Sequence, residues 1–224
     1  MSRRQRGPGR RWSSRVVVAT VGMSVLAAMS LLSACGTLLA PSPPALHFYT
    51  LDGPAPMAMP AQQAAKSPQA DSVLVVALPR AGAGFDTDRI VYMLDEHRLQ
   101  PYADNQWIDT PPKMLAPLIS GALDRTGMFA AVLPESSPVS GRWELQSDIV
   151  RLQHEVSAAR FRFTLRVTLI ETRTRAVVFT HEFDGSAPVA AATPAAAVSA
   201  ANVVVADVLA RMATACAAEI ALRR

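Results

Sequence analysis

Three successive segments between Trp143 and Asp184 alternate apolar and polar residues with a period of two, and nothing else in the chain restricts its fold so tightly. In the first, Trp143, Leu145 and Ile149 alternate with polar neighbours. In the second, Phe161, Phe163, Leu165, Val167 and Leu169 alternate with Arg160, Arg162, Thr164, Arg166 and Thr168. In the third, Val177, Phe179 and Phe183 point one way while Thr180, Glu182 and Asp184 point the other. Successive side chains of a strand face opposite sides of a sheet, so the pattern predicts an antiparallel meander with one packed and one wet face. Glu171 to Arg175 is the expected hairpin loop.

An apolar sheet face has to be covered, and two segments have the period to cover it. Asp109-Thr110-Pro111-Pro112 opens the first helix, because Asp or Thr caps and proline fits the first turn. Met114, Leu115, Leu118, Ile119, Ala122 and Leu123 then follow helical spacing, Pro117 lies close enough to the start to be tolerated, and Gly127 ends the helix. The second helix runs from about Pro194 to Leu222, with Thr193 as cap and Val198, Val205, Val208, Leu209, Met212, Cys216 and Ile220 as its apolar stripe. Shorter strands are expected at His47 to Asp52, Ser72 to Leu78, Arg89 to Leu94, Leu99 to Tyr102 and Ala130 to Leu133. The apolar run Val73 to Leu78 suits a strand buried on both faces. The expected fold class is α+β: an antiparallel or mixed sheet with two main helices packed on one face, a two-layer sandwich.

The N-terminal region is of another kind. Six arginines (Arg3, Arg4, Arg6, Arg10, Arg11, Arg15) precede an uncharged apolar stretch, Val16 to Leu32, and then Leu32-Ser33-Ala34-Cys35-Gly36. A basic start, an apolar core and small residues at the cut make a secretory signal peptide. The whole chain has a net charge of +4. Without those six arginines, 16 cationic residues face 18 acidic ones, a net of −2. A mildly acidic mature chain has no electrostatic attraction to nucleic acid. The expected organisation is residues 1–34 as signal peptide, 35–71 as a Pro-, Ser- and Ala-rich tether with a short strand at 47–52, and 72–224 as a periplasmic α+β domain. The strand in the tether is expected to pair with the edge of the sheet. Of the two cysteines, Cys35 falls at the expected cut, and Cys216, in an apolar run, reads as a small core residue.

Catalytic motifs are missing. The sequence has no phosphate-binding G-x-x-x-x-G-K-[ST], no G-x-S-x-G elbow and no H-E-x-x-H pair. His47, His97, His154 and His181 are scattered singly, as surface or boundary residues rather than ligands. Gly82-Ala83-Gly84 reads as a turn, and Asp86, Asp88, Asp95 and Glu96 as a solvated loop. The expectation is a non-enzyme with no catalytic residue, metal or cofactor. The unusual feature is Arg160, Arg162 and Arg166 on one strand face, with Arg173 and Arg175 beyond. This row is either a solvated face balanced by Glu144, Asp148, Glu171 and Glu182, or a surface for a partner or anionic lipid headgroups.

Leu32-Ser33-Ala34-Cys35 resembles the bacterial lipobox, whose cysteine receives a diacylglycerol and whose freed amine receives a further chain such as palmitate. Gly36 in place of an aspartate implies the outer membrane, facing the periplasm. Beyond the lipobox come Phe48-Tyr49-Thr50-Leu51, Ser72 to Leu78, Asp88-Arg89-Ile90-Val91-Tyr92, Leu99, Tyr102, and Asn105-Gln106-Trp107 leading into the helix that ends at Leu123. In this order the segments resemble the ABC-type transport auxiliary lipoproteins, from Phe48 to about Asp184. The resemblance implies a non-catalytic accessory subunit of an intermembrane transport system for phospholipids or other apolar molecules. Its implied partners are periplasmic proteins of the mammalian-cell-entry type, and a homo-oligomer is within the family's range. Tyr92, Tyr102 and Trp107 are the aromatics expected to dock a partner, since aromatic side chains near loops anchor interfaces, with a place in the core the equal alternative for Trp107. An assembly factor of another outer-membrane machine is the alternative.

Overall fold

The computed structural model describes residues 45–52 and 73–223. The expected signal peptide, the lipidation site Cys35, most of the tether and the segment 53–72 lie outside the described residues. In chain order the elements are β1 (His47–Tyr49), β2 (Val73–Val76), β3 (Arg80–Ala81), β4 (Arg89–Met93), β5 (Leu99–Trp107) and α1 (Pro111–Asp124). They continue with β6 (Ala131–Pro134), β7 (Trp143–Glu155), β8 (Arg160–Glu171), β9 (Ala176–Pro188) and α2 (Pro194–Ala221).

β7 organises the sheet. Along one edge it pairs antiparallel with β8, which pairs antiparallel with β9. The other edge is shared in series by three parallel partners: β2 at Leu74 to Val76, β3 at Arg80 and Ala81, and β4 at Tyr92 and Met93. β6 extends the sheet beyond β2, while β5 and then β1 extend it beyond β4. The sheet is therefore mixed, and the short strand before residue 53 pairs with its edge, parallel to β5.

A bulge in β7 changes which side chains face the core. Ile149 lies opposite Leu165 but Arg151 lies opposite Thr164, so Val150 is an extra residue and the alternation is reset. Before the bulge Trp143, Leu145, Ser147 and Ile149 point inward. After it Leu152 and His154 do so, paired with Phe163 and Phe161. A second shift between Leu169 and Ile170 leaves Val178 as the extra residue of β9. Val177, expected on the packed side with Phe179 and Phe183, is 60% exposed for that reason.

α2 lies along β8 and β9, and α1 lies against β6, β2, β3 and α2. The predicted stripe of α2 is buried throughout, and Ala197, Ala200, Ala201 and Ala213 are buried with it. These small side chains let the helix approach the sheet closely. A Cβ on Gly185 would come within 2.8 Å of Val208 Cγ2 and 2.9 Å of Val204 Cγ2. The Thr193 side chain accepts from the Ala196 N–H, the predicted cap. Thr110 caps α1 through its backbone only, and the Asp109 carboxylate accepts the Thr110 N–H at 2.7 Å.

Two further expectations need correction. β2 is not buried on both faces: Leu74 and Val76 are buried, while Val73 and Val75, whose side chains alternate to the opposite face, are half-buried. β5 runs to Trp107 rather than stopping at Tyr102, since its later residues gain β1 as a partner.

Candidate functional site

The residues expected to contact partners fall into two separate groups, and one joins the core. Trp107 is 2% exposed. Its N–H donates to the Asp88 carbonyl at 2.6 Å, and the next residue donates to Tyr49 at 2.7 Å, which fixes the end of β5 against β1. A side chain buried to that degree in the free chain packs; it does not dock.

Tyr92 and Tyr102 do meet, with ring centroids 4.6 Å apart and planes tilted by 38°. Both are half-buried. The Tyr92 hydroxyl donates to Gln100 Oε1 at 2.8 Å. The Tyr102 hydroxyl lies 2.6 Å from His154 Nδ1. His154 is 1% exposed, not the surface or boundary residue that its isolation in the sequence suggests. Burial holds its pKa below the ordinary histidine value. The imidazole is therefore neutral at neutral pH, and the tautomer sets whether Nδ1 accepts from the Tyr102 hydroxyl or donates to it. Burial first, and Tyr92 second, push the Tyr102 phenol upward, so it keeps its proton.

The arginine row lies on the other side of the meander and is internally neutralised. Arg160 Nε donates to Glu155 at 2.6 Å. Arg162 grips Asp184 with Nε at 3.0 Å and Nη2 at 3.1 Å, and its Nη1 lies 3.8 Å from Glu155. The Thr164 hydroxyl donates to Asp184 at 2.5 Å, and Arg166 Nη2 donates to Glu182 at 2.9 Å. The Arg162 fork, followed by the Thr164 hydrogen bond, holds the Asp184 carboxyl below the usual range, and Asp184 in turn raises Arg162. Of the four expected counter-charges only Glu182 serves the row. Asp148 pairs with Arg80 at 2.8 Å, Glu171 lies 3.7 Å from Arg142, and Glu144 accepts from Gln146. The row's other partners are Glu155, beside the hairpin, and Asp184, directly opposite Thr164 in the register. Arg173 and Arg175 stand exposed in the hairpin loop, Arg175 with φ of 58°.

Chemistry elsewhere is sparse. An open depression of about 550 Å³ at the other end of β7 is lined by Val73, Gly141, Arg142 and Glu171 among others. Arg142 there stacks over Trp143 at 4.8 Å, so its charge is engaged. Among the described residues no group of three or more His, Cys, Asp and Glu could hold a metal ion. Cys216 is fully buried, and burial pushes its thiol up to about 12, where it neither ionises nor reacts at neutral pH. No helix among the described residues is long and apolar enough to cross a membrane.

The described residues form an α+β domain around one mixed sheet, with the strand-face arginines paired to neighbouring carboxylates. The model of the ABC-type transport auxiliary lipoprotein component matches residues 49–213, and the chain belongs to that family. Its fold is similar to that of a solved protein from Xanthomonas campestris, with a TM-score of 0.65 and 20% identity over 79% of this chain and 98% of that one. A second solved protein, uncharacterised, gives a TM-score of 0.59 and 12% identity over 79% of this chain and 99% of that one. A dodecameric PelC from Paraburkholderia phytofirmans shares 18% identity over 62% of this chain and 84% of its own, at a TM-score of 0.37. No curated protein matches the sequence.

Proposed function

We propose that this chain is a lipid-anchored, periplasm-facing, non-catalytic subunit of an ABC-type system that moves phospholipids or other apolar molecules between membranes, docking the transport assembly at the outer membrane. The observation that carries the reading is the family match at residues 49–213, which follows Leu-Ser-Ala-Cys at residues 32–35. Acylation at Cys35 would hold the domain stably, since each buried CH₂ contributes about 0.8 kcal/mol and more than one chain is attached. Gly36 favours the outer membrane. The two helices would cover one face of the sheet as a two-layer sandwich. The opposite face, with Arg160, Arg162 and Arg166, and the Tyr92–Tyr102 pair would then be available to periplasmic proteins of the mammalian-cell-entry type or to a second copy.

Affinity purification from detergent-solubilised membranes tests the docking role. Co-purification of mammalian-cell-entry proteins is the expected result, and recovery of another outer-membrane machine in their place refutes it. Mass spectrometry of the mature N-terminus tests the anchor separately. The expected species begins at an acylated Cys35, and a chain that retains residues upstream of it refutes lipidation.

A further inference from the structure

The parallel register of β1 and β5 puts one set of side chains inside and a second set in solvent. Phe48 lies opposite Gln106 and Tyr49 opposite Trp107. The Ile108 N–H donates to the Tyr49 carbonyl at 2.7 Å, which carries the pairing one residue further. Leu51 and Trp107 are buried, and Tyr49 is half-buried against the core. The alternate positions are the reverse: Leu46 is 51% exposed, Phe48 57% and Ile108 62%. Three large apolar side chains on the outward side of the β1–β5 pair and its immediate ends depart from the usual inside–outside pattern. Contiguous exposure of this kind marks an interaction surface, whereas single exposed apolar residues do not. Arg89 is the antiparallel register partner of Gln106, so an exposed guanidinium joins the same face.

We propose that this face, Leu46, Phe48 and Ile108 with Arg89 beside them, rests on the lipid leaflet that holds the Cys35 acyl chains. The proposal depends on the lipid anchor stated above. Only residues 36–45 separate Cys35 from Leu46, and a chain of that length spans at most about 40 Å. The anchor therefore keeps the start of β1 close to the bilayer. Apolar side chains at the headgroup–acyl boundary leave water, as those of interfacial helices do, while Arg89 meets the lipid phosphates. The face then sets how the domain sits on the membrane, and with it which surfaces look toward the periplasm.

The test uses the acylated full-length protein reconstituted in vesicles of phosphatidylethanolamine and phosphatidylglycerol. Phe48→Cys, Ile108→Cys and, as a distant control, Val177→Cys are spin-labelled one at a time; the buried Cys216 thiol does not compete for label. Labels at 48 and 108 are expected to relax faster with oxygen and to lose relaxation by a water-soluble nickel chelate, with the opposite at 177. Flotation of the protein with the vesicles while all three labels stay aqueous overturns the contact and leaves the anchor standing. Failure of the protein to float overturns both. Dipolar broadening between labels at 48, with both agents excluded, places a second copy on the face and likewise overturns the proposal.

Discussion

Replacing Tyr102 with phenylalanine removes one oxygen and little else, which makes it a sharp probe of the buried cluster. In the native chain that hydroxyl lies 2.6 Å from His154 Nδ1, and His154 is inaccessible to water. The variant keeps the ring contact with Tyr92 and strands a buried ring nitrogen. A typical intramolecular hydrogen bond contributes about 0.5–1.5 kcal/mol net, but a buried group left without a partner costs about 1–3 kcal/mol. The expected loss for Tyr102→Phe is therefore about 2 kcal/mol, a fall of roughly 4–8 °C in Tm for a domain of this size. Adding His154→Leu removes the stranded nitrogen, so the double variant should lose less than the two single losses combined, with a coupling of about 1 kcal/mol. Urea denaturation followed by circular dichroism at pH 8 gives all four corners of the cycle. If Tyr102→Phe unfolds within about 0.3 kcal/mol of the parent, the bond contributes nothing and the cluster is not a structural element. The pH dependence gives a second reading. Burial depresses the folded pKa of His154, so the unfolded chain binds the proton first. Stability is complete above about pH 6.5 and falls as pH drops through the folded value. His154→Leu should flatten that region of the curve, while Tyr102→Phe should retain it, because burial and not the phenol causes the shift.

Three further outcomes are expected. Gly185→Ala forces a Cβ to within 2.8–2.9 Å of two valine methyls on α2 and should cost about 1–3 kcal/mol, read as a lowered urea midpoint. Asp184, whose carboxyl Arg162 and Thr164 hold below the usual range, contributes stability that is complete above the unfolded value near pH 3.9 and is lost as pH falls through the folded value. Because the pair is partly solvent-exposed, the contribution is below about 1 kcal/mol, and Asp184→Asn should remove it from an acid titration. Cys216 should resist thiol reagents at pH 7.5 in the folded protein and react as the chain unfolds in urea, followed by mass spectrometry; rapid labelling of the native chain would contradict its burial.

The sequence by itself determined the long elements and their faces. Phe161 to Leu169 alternate without interruption and all five apolar residues are fully buried, and the predicted stripe of α2 faces inward from Val198 to Ile220. Local chemistry sufficed there, because period two and period 3.6 specify which side of a strand or helix is apolar whatever it packs against. Thr193-Pro194 marked the start of α2 for an equally local reason. Only the tertiary structure decided what depends on partners far along the chain. The parallel pairing of β2, β3 and β4 to one edge of β7 leaves no mark in any of these short segments taken alone. The bulge at Val150 turned His154 inward against the period that Trp143, Leu145 and Ile149 had set, and so brought it to Tyr102, 52 positions away. The arginine row was legible as residues but not as electrostatics. Its charges were neutralised by Glu155 and Asp184 through strand register, which a period of two leaves open. Whether Trp107 was an anchor or a core residue rested likewise on β1 crossing to pair with β5, a contact between segments more than fifty residues apart.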